Sequence, residues 1–289
     1  MTFKNPMSLS ITYTDLPIGA YVDNVSLVDL DEESFAAIRA LLDERSVVTV
    51  RNQHLPEAEQ VRFARRFGAL QRIFIKEAAS TAYPELFIVS NIVENGRPVG
   101  STDAGKFWHT DGAYLPEPHS ASMLYSIEVP MKDGVALGDT RFAGMAAAYD
   151  ALPAAMKERI DGLRAMHSLL HRYGTKTTGA ADMAKRSREF PPVSHPLVIR
   201  HPATGRKCLY VSEGYTTHIE GIAQAESDAL LAQLCEHVVK PEFIYRHSWS
   251  PNELVIWDNL ATLHHATFDY ALPQRRLMRR ATVAGVALG

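Results

Sequence analysis

The sequence has few of the features that mark exported or membrane proteins. Its 289 residues include only two cysteines, too few for a disulfide framework, which favours a cytoplasmic protein. No apolar run approaches the roughly 18 residues of a membrane span. Residues 1–19 also lack the basic flank and apolar core of a secretory signal. We therefore expect neither a membrane protein nor a secreted one.

The chain also lacks an excess of charge of either sign. Its 30 basic and 33 acidic side chains give a net charge of −3 and are mixed along the chain, so we expect no nucleic acid and no anionic membrane as a partner. Internal repeats, low-complexity tracts and long linkers are absent as well. With 46% hydrophobic residues, the composition is that of a globular protein, and we expect residues 1–289 to form one domain.

The first part of the chain has the pattern of an α/β segment. Apolar residues at helical spacing predict a helix over Asp31–Glu44, and the β-branched run Ser46–Arg51 predicts a buried strand. Pro56 begins a second predicted helix, which ends before Gly68. Residues 1–70 are therefore expected to pack as an α/β unit on the rest of the chain.

Beyond Gly68 the pattern changes to short apolar runs separated by Pro, Gly, Asn and Asp. Two helical stretches interrupt them, at Met145–Tyr173 and Gln224–Val239. Many short strands with little alternation of strand and helix predict a β-sandwich or jelly roll with helices packed outside. The expected class is α+β.

One pair of residues could hold a metal ion. His109 and Asp111 are two residues apart in Phe-Trp-His-Thr-Asp, and on a strand such side chains point to the same face. Two histidines and a carboxylate on one side of an iron(II) ion form the facial triad of non-haem oxygenases. Taken alone the pair also fits a hydrogen-bonded surface pair, and His218 and Glu220 have a similar spacing.

Two later features add to the metal hypothesis. His264 and His265 directly follow the strand-like run that ends at Asn259. Farther on, the alternation of a strand puts Arg276 and Arg280 on one face, where two buried guanidiniums require anionic partners. That arrangement suits two neighbouring carboxylate-binding sites. A solvated basic edge strand is the alternative.

The order of these motifs resembles one family, the iron(II)/2-oxoglutarate enzymes of the taurine and 2,4-dichlorophenoxyacetate dioxygenase family. The resemblance runs from about Leu16 to Val283. The segments that carry it are FARRFGAL (63–70), FWHTDGAY (107–114), LGDTRFAG (137–144), AAYDALP (147–153), HPATGRKCLYVSEGYTTHIEG (201–221), KPEFIYRHSWSPNELVIWDN (240–259) and RRLMRRAT (275–282). It implies a double-stranded β-helix (jelly-roll) core with flanking helices.

The resemblance also implies a cofactor set of Fe(II), 2-oxoglutarate and O2. His109, Asp111 and His264 resemble the iron ligands, with His264 preferred to His265 because the family's histidine is the seventh residue after the Trp of Trp-Asp-Asn. Arg276 and Thr140 resemble the residues that bind the distal carboxylate of 2-oxoglutarate. The family's members are commonly homo-oligomers, so we expect one here.

For the substrate the resemblance implies less. Arg280 resembles the residue that holds the substrate's anionic group, and the Phe-Ile-Lys after the Phe-Gly element is similar to the phenoxyacetate branch. Lys76, Asn91 and Tyr114 are therefore candidate substrate-binding residues. A surface lysine, a turn asparagine and a core tyrosine are the structural alternatives.

The sequence thus predicts an enzyme that hydroxylates a small anionic substrate, with a carboxylate such as an aryloxyalkanoate favoured over a sulfonate, and gives succinate and CO2. Two rival functions remain open. His167 and His171 have the spacing of a zinc site on a helix, as in a zinc-dependent hydrolase, although no catalytic glutamate lies between them. A jelly-roll binding protein without catalysis is the other, and loss of a metal ligand would be its mark.

Overall fold

The computed structural model describes residues 9–73, 78–102, 105–171, 180–285 and 287–288. The helices in this part of the chain are α1 (Glu32–Arg45), α2 (Glu57–Arg65), α3 (Met145–Asp150), α4 (Ala154–Ile160), α5 (Ala180–Glu189) and α6 (Gln224–Val238). The strands are β1 (Ser10–Tyr13), β2 (Ala20–Asp23), β3 (Val47–Val50), β4 (Leu86–Ser90), β5 (Val93–Glu94), β6 (Arg97–Pro98), β7 (Ala121–Glu128), β8 (Met131–Lys132), β9 (Val135–Ala136), β10 (Thr140–Gly144), β11 (Arg164–His167), β12 (Val193–Pro196), β13 (Val198–Arg200), β14 (Lys207–Leu209), β15 (Thr216–Ile219), β16 (Ile244–His247), β17 (Leu254–Asp258), β18 (Thr262–Ala266) and β19 (Leu277–Val283).

Strands dominate this architecture. The largest sheet has seven strands in the order β1-β2-β3-β17-β7-β19-β4, and all its neighbours pair antiparallel except β2 with β3. A second sheet has the order β16-β10-β18, and a third has β12-β11-β15. The expected mixed fold of many short strands and few helices is thereby confirmed.

Successive side chains along one strand point to opposite sides of the seven-stranded sheet. On β17, Leu254 and Ile256 pack with α1 and α2 on one side of the seven-stranded sheet. Val255 and Trp257 point to the other side, where they join Phe142 of β10 in a separate buried cluster. The seven-stranded sheet therefore faces helices on one side and the β16-β10-β18 sheet on the other.

The predicted N-terminal elements are confirmed. Asp31 caps α1 by accepting a hydrogen bond of 2.7 Å from the backbone N–H of Ser34, and the helix buries Ile38, Leu41 and Leu42. Ser46 ends it in the left-handed conformation at φ 59°, and β3 begins at the next residue. The short α2 follows Pro56 as expected.

The helical stretch predicted over Met145–Tyr173 forms only in its first part, and Tyr173 lies outside the described residues. The chain forms α3 and α4 there, separated by Pro153, and then turns at Gly162 with φ +72° into the strand β11. Pro153 cannot donate the backbone hydrogen bond that a continuous helix needs, and Gly162 adopts a backbone conformation that other residues resist. No helix among the described residues is both long and apolar enough to cross a bilayer.

Candidate metal centre and adjoining cavities

Three side chains that can bind a metal ion converge between the two facing sheets. His109, Asp111 and His264 are all buried, and one ligand atom from each lies within 4.8 Å of the others. The Nε2 atom of His109 is 3.8 Å from Asp111 Oδ1, and the Nε2 atom of His264 is 3.9 Å from Asp111 Oδ2. Among the described residues, this is the one cluster of histidine, cysteine and acidic side chains with such spacing.

The backbone brings the two histidines together. His109 and His264 exchange backbone hydrogen bonds of 3.1 and 2.8 Å in an isolated antiparallel bridge, and their rings lie 4.1 Å apart. The Nδ1 atom of His109 lies 2.7 Å from the carbonyl oxygen of Phe107. If Nδ1 carries the proton for that bond, Nε2 keeps its lone pair and is oriented toward Asp111.

The carboxylate of Asp111 is fixed by a network that includes two further strands. Ser122 on β7 donates a 2.6 Å hydrogen bond to Asp111 Oδ2, and the Asn259 amide donates in turn to Ser122. Arg280 on β19 places Nη1 3.0 Å from Asp111 Oδ1. Burial alone would raise the pKa of Asp111, but Arg280 and the two histidines outweigh it and hold that pKa well below its usual value. Asp111 is therefore an anion.

The imidazoles of His109 and His264 are uncharged, because the effect of burial outweighs that of the nearby carboxylate. Burial lowers the pKa of His109, and it lowers that of His264 farther, despite the nearby Asp111 carboxylate. Metal ions bind the neutral imidazole and the ionised carboxylate. Two neutral histidines and one carboxylate are thus in the protonation states that a divalent cation requires.

A small cavity of about 50 Å³ extends from this centre between the sheets. We call it the inner cavity; its lining residues are Val89, Gly105, His109, Leu124, Thr140, Trp257, His264, Ala266, Arg276 and Arg280. The predicted alternation on β19 accounts for its basic side: Arg276 and Arg280 line the cavity, and Met278 between them packs in the cluster that joins the sheets. Arg279 points to the opposite face, toward Glu57.

Arg276 is held as a rigid cation at the end of the inner cavity. It is 3% exposed, its guanidinium lies 5.3 Å from the ring centre of Tyr270, and one Nη donates to the carbonyl of Gly138. Its Nε has no hydrogen-bond partner among the described residues. Gly138 has φ +75°, and a Cβ there would lie 2.0 Å from Arg276 Nη1, so glycine at this position leaves room for the guanidinium.

Thr140 lines the same cavity from β10. Its hydroxyl oxygen accepts a 3.0 Å hydrogen bond from the indole N–H of Trp249, which leaves the Thr140 proton available as a donor. The residues between Val129 and Gly138 form the hairpin β8–β9, which precedes Thr140. Thr140 itself lines the inner cavity.

A larger cavity of about 220 Å³ opens on the other side of the centre. We call it the outer cavity; its lining residues are Gln71, Arg72, Ile73, Phe87, Ser101, Gly105, His109, Asp111, Gly112, Tyr114, His119, Leu169, Arg186, Tyr215, Arg280 and Thr282. Arg72, Arg186 and Arg280 contribute guanidiniums to it, whereas Asp111 is the one carboxylate among these lining residues. The lining is therefore suited to an anion.

Apolar and aromatic side chains form much of the remaining wall. Tyr114 packs against Tyr215 with ring centres 5.2 Å apart and against Phe190 at 5.7 Å. Burial raises the pKa of Tyr114 to about 12, so its hydroxyl is protonated. Phe87 and Ile73 also line the cavity. The wall thus fits a molecule with an apolar body as well as an anionic group.

The predicted substrate residues are distributed unequally. Tyr114 and Arg280 line the outer cavity. Asn91 is absent from the described lining of both cavities, and its amide instead bonds the carbonyl of Gln274 and the N–H of Arg276, each at 2.8 Å. It therefore contacts the segment just before β19, including the backbone of Arg276. Lys76 lies outside the described residues.

Sequence reasoning missed several residues of the site. Ser122 and Trp249 support Asp111 and Thr140, and His119 and Thr282 line the outer cavity. The alternation of β19 was a signal for Thr282, because it lies two residues beyond Arg280 on the same face. Nothing local in the sequence signals Ser122, which reaches the site because β7 pairs with β19, or His119, which lies two residues before β7.

The histidines of the zinc alternative lie apart from this centre. His167 is buried on strand β11, not on a helix, and its neighbours are the rings of His195 and Tyr210 at 5.3 and 5.5 Å. The helical spacing on which that alternative depended is therefore not formed. Burial also lowers the pKa of His167 to about 3.

Comparison with known proteins agrees with this geometry. The family model described as "Taurine catabolism dioxygenase TauD, TfdA family" matches residues 10–282. The chain belongs to this family. It is 38% identical over 275 residues to the alpha-ketoglutarate-dependent 2,4-dichlorophenoxyacetate dioxygenase of Cupriavidus pinatubonensis, covering 91% of this chain and 93% of the relative.

Members with other names are also similar. Pentalenolactone F synthase of Streptomyces arenae is 34% identical, with 91% of each chain covered. A crystal structure of a taurine dioxygenase from Burkholderia xenovorans superimposes with a TM-score of 0.81 at 31% identity and covers 97% of this chain and 91% of its own. The family's names span several substrates, so membership alone does not identify the one used here.

Membership makes the chain a dioxygenase that depends on alpha-ketoglutarate, which is 2-oxoglutarate, and the TauD/TfdA family uses Fe(II), 2-oxoglutarate and O2. His109, Asp111 and His264 could bind the metal. The mark expected of a non-catalytic relative, loss of a ligand residue, is not found, because all three residues are present and converge.

Proposed function

We propose that this enzyme hydroxylates a small anionic organic substrate, with a carboxylate such as an aryloxyalkanoate favoured over a sulfonate, and releases succinate and CO2. The observation that carries the proposal is the junction of the buried His-Asp-His cluster with an outer cavity rich in guanidinium groups. The relative named for 2,4-dichlorophenoxyacetate supports the choice of an aryloxyalkanoate.

The donor set fits Fe(II). We assign the metal to His109 Nε2, His264 Nε2 and one oxygen of Asp111, a combination of two imidazoles and a carboxylate that suits non-haem iron and leaves other positions open. Ser122 and the carbonyl of Phe107 hold two of these ligands in orientation. When bound, iron and 2-oxoglutarate supply the oxidation, in which O2 is consumed and 2-oxoglutarate becomes succinate and CO2.

The inner cavity fits 2-oxoglutarate. We assign its distal carboxylate to Arg276, whose unpartnered, buried Nε matches an anion, and to the hydroxyl proton of Thr140. Charge-assisted hydrogen bonds of this kind are stronger than neutral ones. Arg276 is 3% exposed, so its guanidinium is only weakly screened by solvent.

Arg280 is assigned to the substrate's anionic group. Its side chain is 21% exposed, and it lines both cavities while contacting Asp111. A carboxylate bound here would be anchored beside the metal ligands, while Tyr114 and the other aromatic residues enclose the substrate's body. The orientation of one substrate C–H bond toward the metal, and not acid–base catalysis, then determines which bond is oxidised.

The proposal includes the architecture. We infer that the two facing sheets form the double-stranded β-helix (jelly-roll) core, that residues 1–289 are one dioxygenase domain with residues 1–70 packed on that core, and that the enzyme is a homo-oligomer. The cluster of Val255, Trp257 and Phe142 between the sheets supports the first inference.

The test is succinate formation by anaerobically iron-loaded protein, started with O2 and 2-oxoglutarate. The substrate panel contains aryloxyalkanoates, sulfonates, alkyl sulfates and phosphonates, with each compound matched to its uncharged amide or ester. We expect stimulation by an aryloxyalkanoate and none by its amide. Stimulation by sulfonates alone would overturn the proposed substrate class, and stimulation by the uncharged compounds would overturn the requirement for an anion.

A further inference from the structure

Two buried polar side chains of the outer cavity have no function in the site as described so far. His119 is 8% exposed and Thr282 is 2% exposed, and both line the cavity that holds Arg280 and Asp111. Neither ring nitrogen of His119 has a hydrogen-bond partner among the described residues, and the same is true of the Thr282 hydroxyl. Buried polar groups without partners are rare in native proteins because each costs free energy.

The fold brings the two side chains into the lining of the same cavity. The segment that contains His119 runs beside the end of β19: the N–H of Ser120 donates to the carbonyl of Val283 at 3.1 Å, and Ser122 is paired with Thr282. Thr282 lies two residues beyond Arg280 and therefore on the same face of β19. The imidazole and the hydroxyl thus line the same cavity as the guanidinium proposed to hold the anion.

The His119 ring is set against the turn that follows the metal ligand. Gly112 has φ +79°, and a Cβ at this position would come within 2.8 Å of both Cγ and Nδ1 of His119. The Nδ1 edge of the ring therefore faces Gly112. Because burial lowers the pKa of His119 to about 4, the imidazole is neutral near pH 7 and offers one N–H donor.

We propose that His119 and Thr282 form a subsite that binds an uncharged carbonyl oxygen of the substrate, in addition to the anionic group held by Arg280. A carbonyl oxygen has two lone pairs, which match one N–H from the imidazole and one O–H from Thr282. We assign the imidazole donor to Nε2. The substrate class is then an organic acid with an apolar body that also carries a carbonyl group. This inference rests on the proposed function of the outer cavity as the substrate site.

The test uses pairs of probes that differ only in the carbonyl oxygen. The 2-, 3- and 4-acetylphenoxyacetates are compared with the corresponding ethylphenoxyacetates, which have the same carboxylate and nearly the same shape. Affinity is measured by titration calorimetry, without O2, on protein loaded with Fe(II) and 2-oxoglutarate. We expect at least one acetyl probe to bind about 3- to 10-fold more tightly than its ethyl partner, the gain of a net hydrogen bond. Equal affinity in every pair, including binding of neither member, overturns the inference.

Variants connect the preference to the two residues. The substitutions His119→Phe and Thr282→Val remove the donors at similar size, and His119→Gln keeps a donor. We expect the first two to abolish the acetyl preference and His119→Gln to retain part of it. Thr49→Val on β3, a buried threonine outside both cavity linings, is the matched control and should keep the wild-type preference. A preference that survives in His119→Phe and Thr282→Val overturns the assignment.

Thermal melting separates binding from structure. Because the two side chains lack partners among the described residues, their apolar replacements should leave the melting temperature of the ligand-free protein unchanged or raise it. A melting temperature well below that of Thr49→Val in both variants would assign them structural roles and overturn the subsite.

The subsite and the proposed function can fail separately. Stronger binding of the acetyl probe without succinate formation would retain the subsite and reject the aryloxyalkanoate class. Equal turnover of acetyl and ethyl probes with equal binding would retain the proposed function and reject the subsite.

Discussion

The inner and outer cavities meet at the same metal-ligand candidates but are built in different ways. In the inner cavity the protein itself holds the polar side chains: Trp249 bonds Thr140, and Gly138 and Tyr270 confine Arg276, although Arg276 Nε lacks a partner among the described residues. The outer cavity contains His119 and Thr282, whose polar atoms have no partners among the described residues. Under the proposed function, the co-substrate common to the family would bind in the site that the protein holds more firmly, and the variable substrate would supply partners for the outer-cavity groups.

The largest effect should come from removing the centre that both cavities share. We expect Asp111→Ala and His109→Ala to abolish iron-dependent conversion of 2-oxoglutarate, because each removes a proposed ligand and Asp111→Ala also leaves Arg280 without its carboxylate. Iron content and succinate formation are the measurements. His265→Ala is the control, since His265 packs on Trp108 at 5.4 Å and lies outside the cluster. Full iron content in Asp111→Ala would reject the ligand assignment.

The next effect should separate the two cavities by their arginines. Arg276→Ala should raise the KM for 2-oxoglutarate by roughly 10- to 100-fold, the loss of hydrogen bonds to a charged group, and change substrate binding little. Arg280→Ala should instead weaken binding of the substrate. Steady-state kinetics with each compound varied in turn make the comparison, and each variant is the control for the other. Identical defects in the two variants would mean that the cavities do not have separate ligands.

A glycine pair tests whether the inner cavity depends on confinement of Arg276. Gly138→Ala places a methyl group against the guanidinium and should raise the KM for 2-oxoglutarate severalfold. Gly134→Ala is matched to it, because both glycines have positive φ, +75° and +81°, but nothing lies within 4 Å of a Cβ at Gly134. Both variants carry the backbone strain of alanine at positive φ. A similar rise in both would attribute the effect to strain and not to the displaced arginine.

The residues of the inner cavity could be predicted from the sequence more completely than those of the outer cavity. The alternation along β19 predicted that Arg276 and Arg280 share a face, because a strand's period of two is a local property. Thr140 and His264 depended on motif spacing, and the structure brings both to the inner cavity. The outer cavity was predicted in part: Tyr114 and Arg280 line it, whereas Asn91 bonds backbone near Arg276 and His119 was not recognised. The segment that contains His119 is positioned by the bond from the N–H of Ser120 to Val283, about 160 residues away, a contact that no local pattern contains.

The second part of the helical stretch predicted over Met145–Tyr173 forms strand β11 because of pairing with residues that are distant in sequence. Apolar residues such as Leu163, Met166 and Leu170 fit helical spacing, but β11 is stabilised by pairing with β12 and β15 on both sides. Tertiary pairing therefore outweighed the pattern, as it commonly does for short segments. The long helices α1 and α6, which have apolar residues at regular spacing over several turns, were predicted almost to their ends.

The smallest expected effect comes from a residue pair outside both cavities, His201 and Asp258. Weakening this pair tests whether ligand binding in the two cavities is reduced equally. His201 Nε2 lies 2.8 Å from Asp258 Oδ2, and Asp258 accepts from the N–H groups of Leu260 and Ala261 in the turn that leads to β18. Burial would lower the pKa of His201, but the bond to Asp258 outweighs it and raises that pKa above its usual value. Because the pKa of His201 is higher in the folded than in the unfolded protein, its protonation stabilises the fold at pH values below about 6.5. This stabilisation is lost as the pH rises through the folded-state pKa.

We therefore expect the free energy of unfolding of the wild type to exceed that of His201→Gln by more at pH 6 than at pH 8.5, as measured by urea denaturation. A difference that is constant or grows with pH would contradict the charged pair. Since the Asp258 turn precedes His264 and the shared centre, the variant should weaken 2-oxoglutarate and substrate binding to a similar small extent. A selective loss of one ligand would instead mean that this turn supports one cavity and not the junction between them.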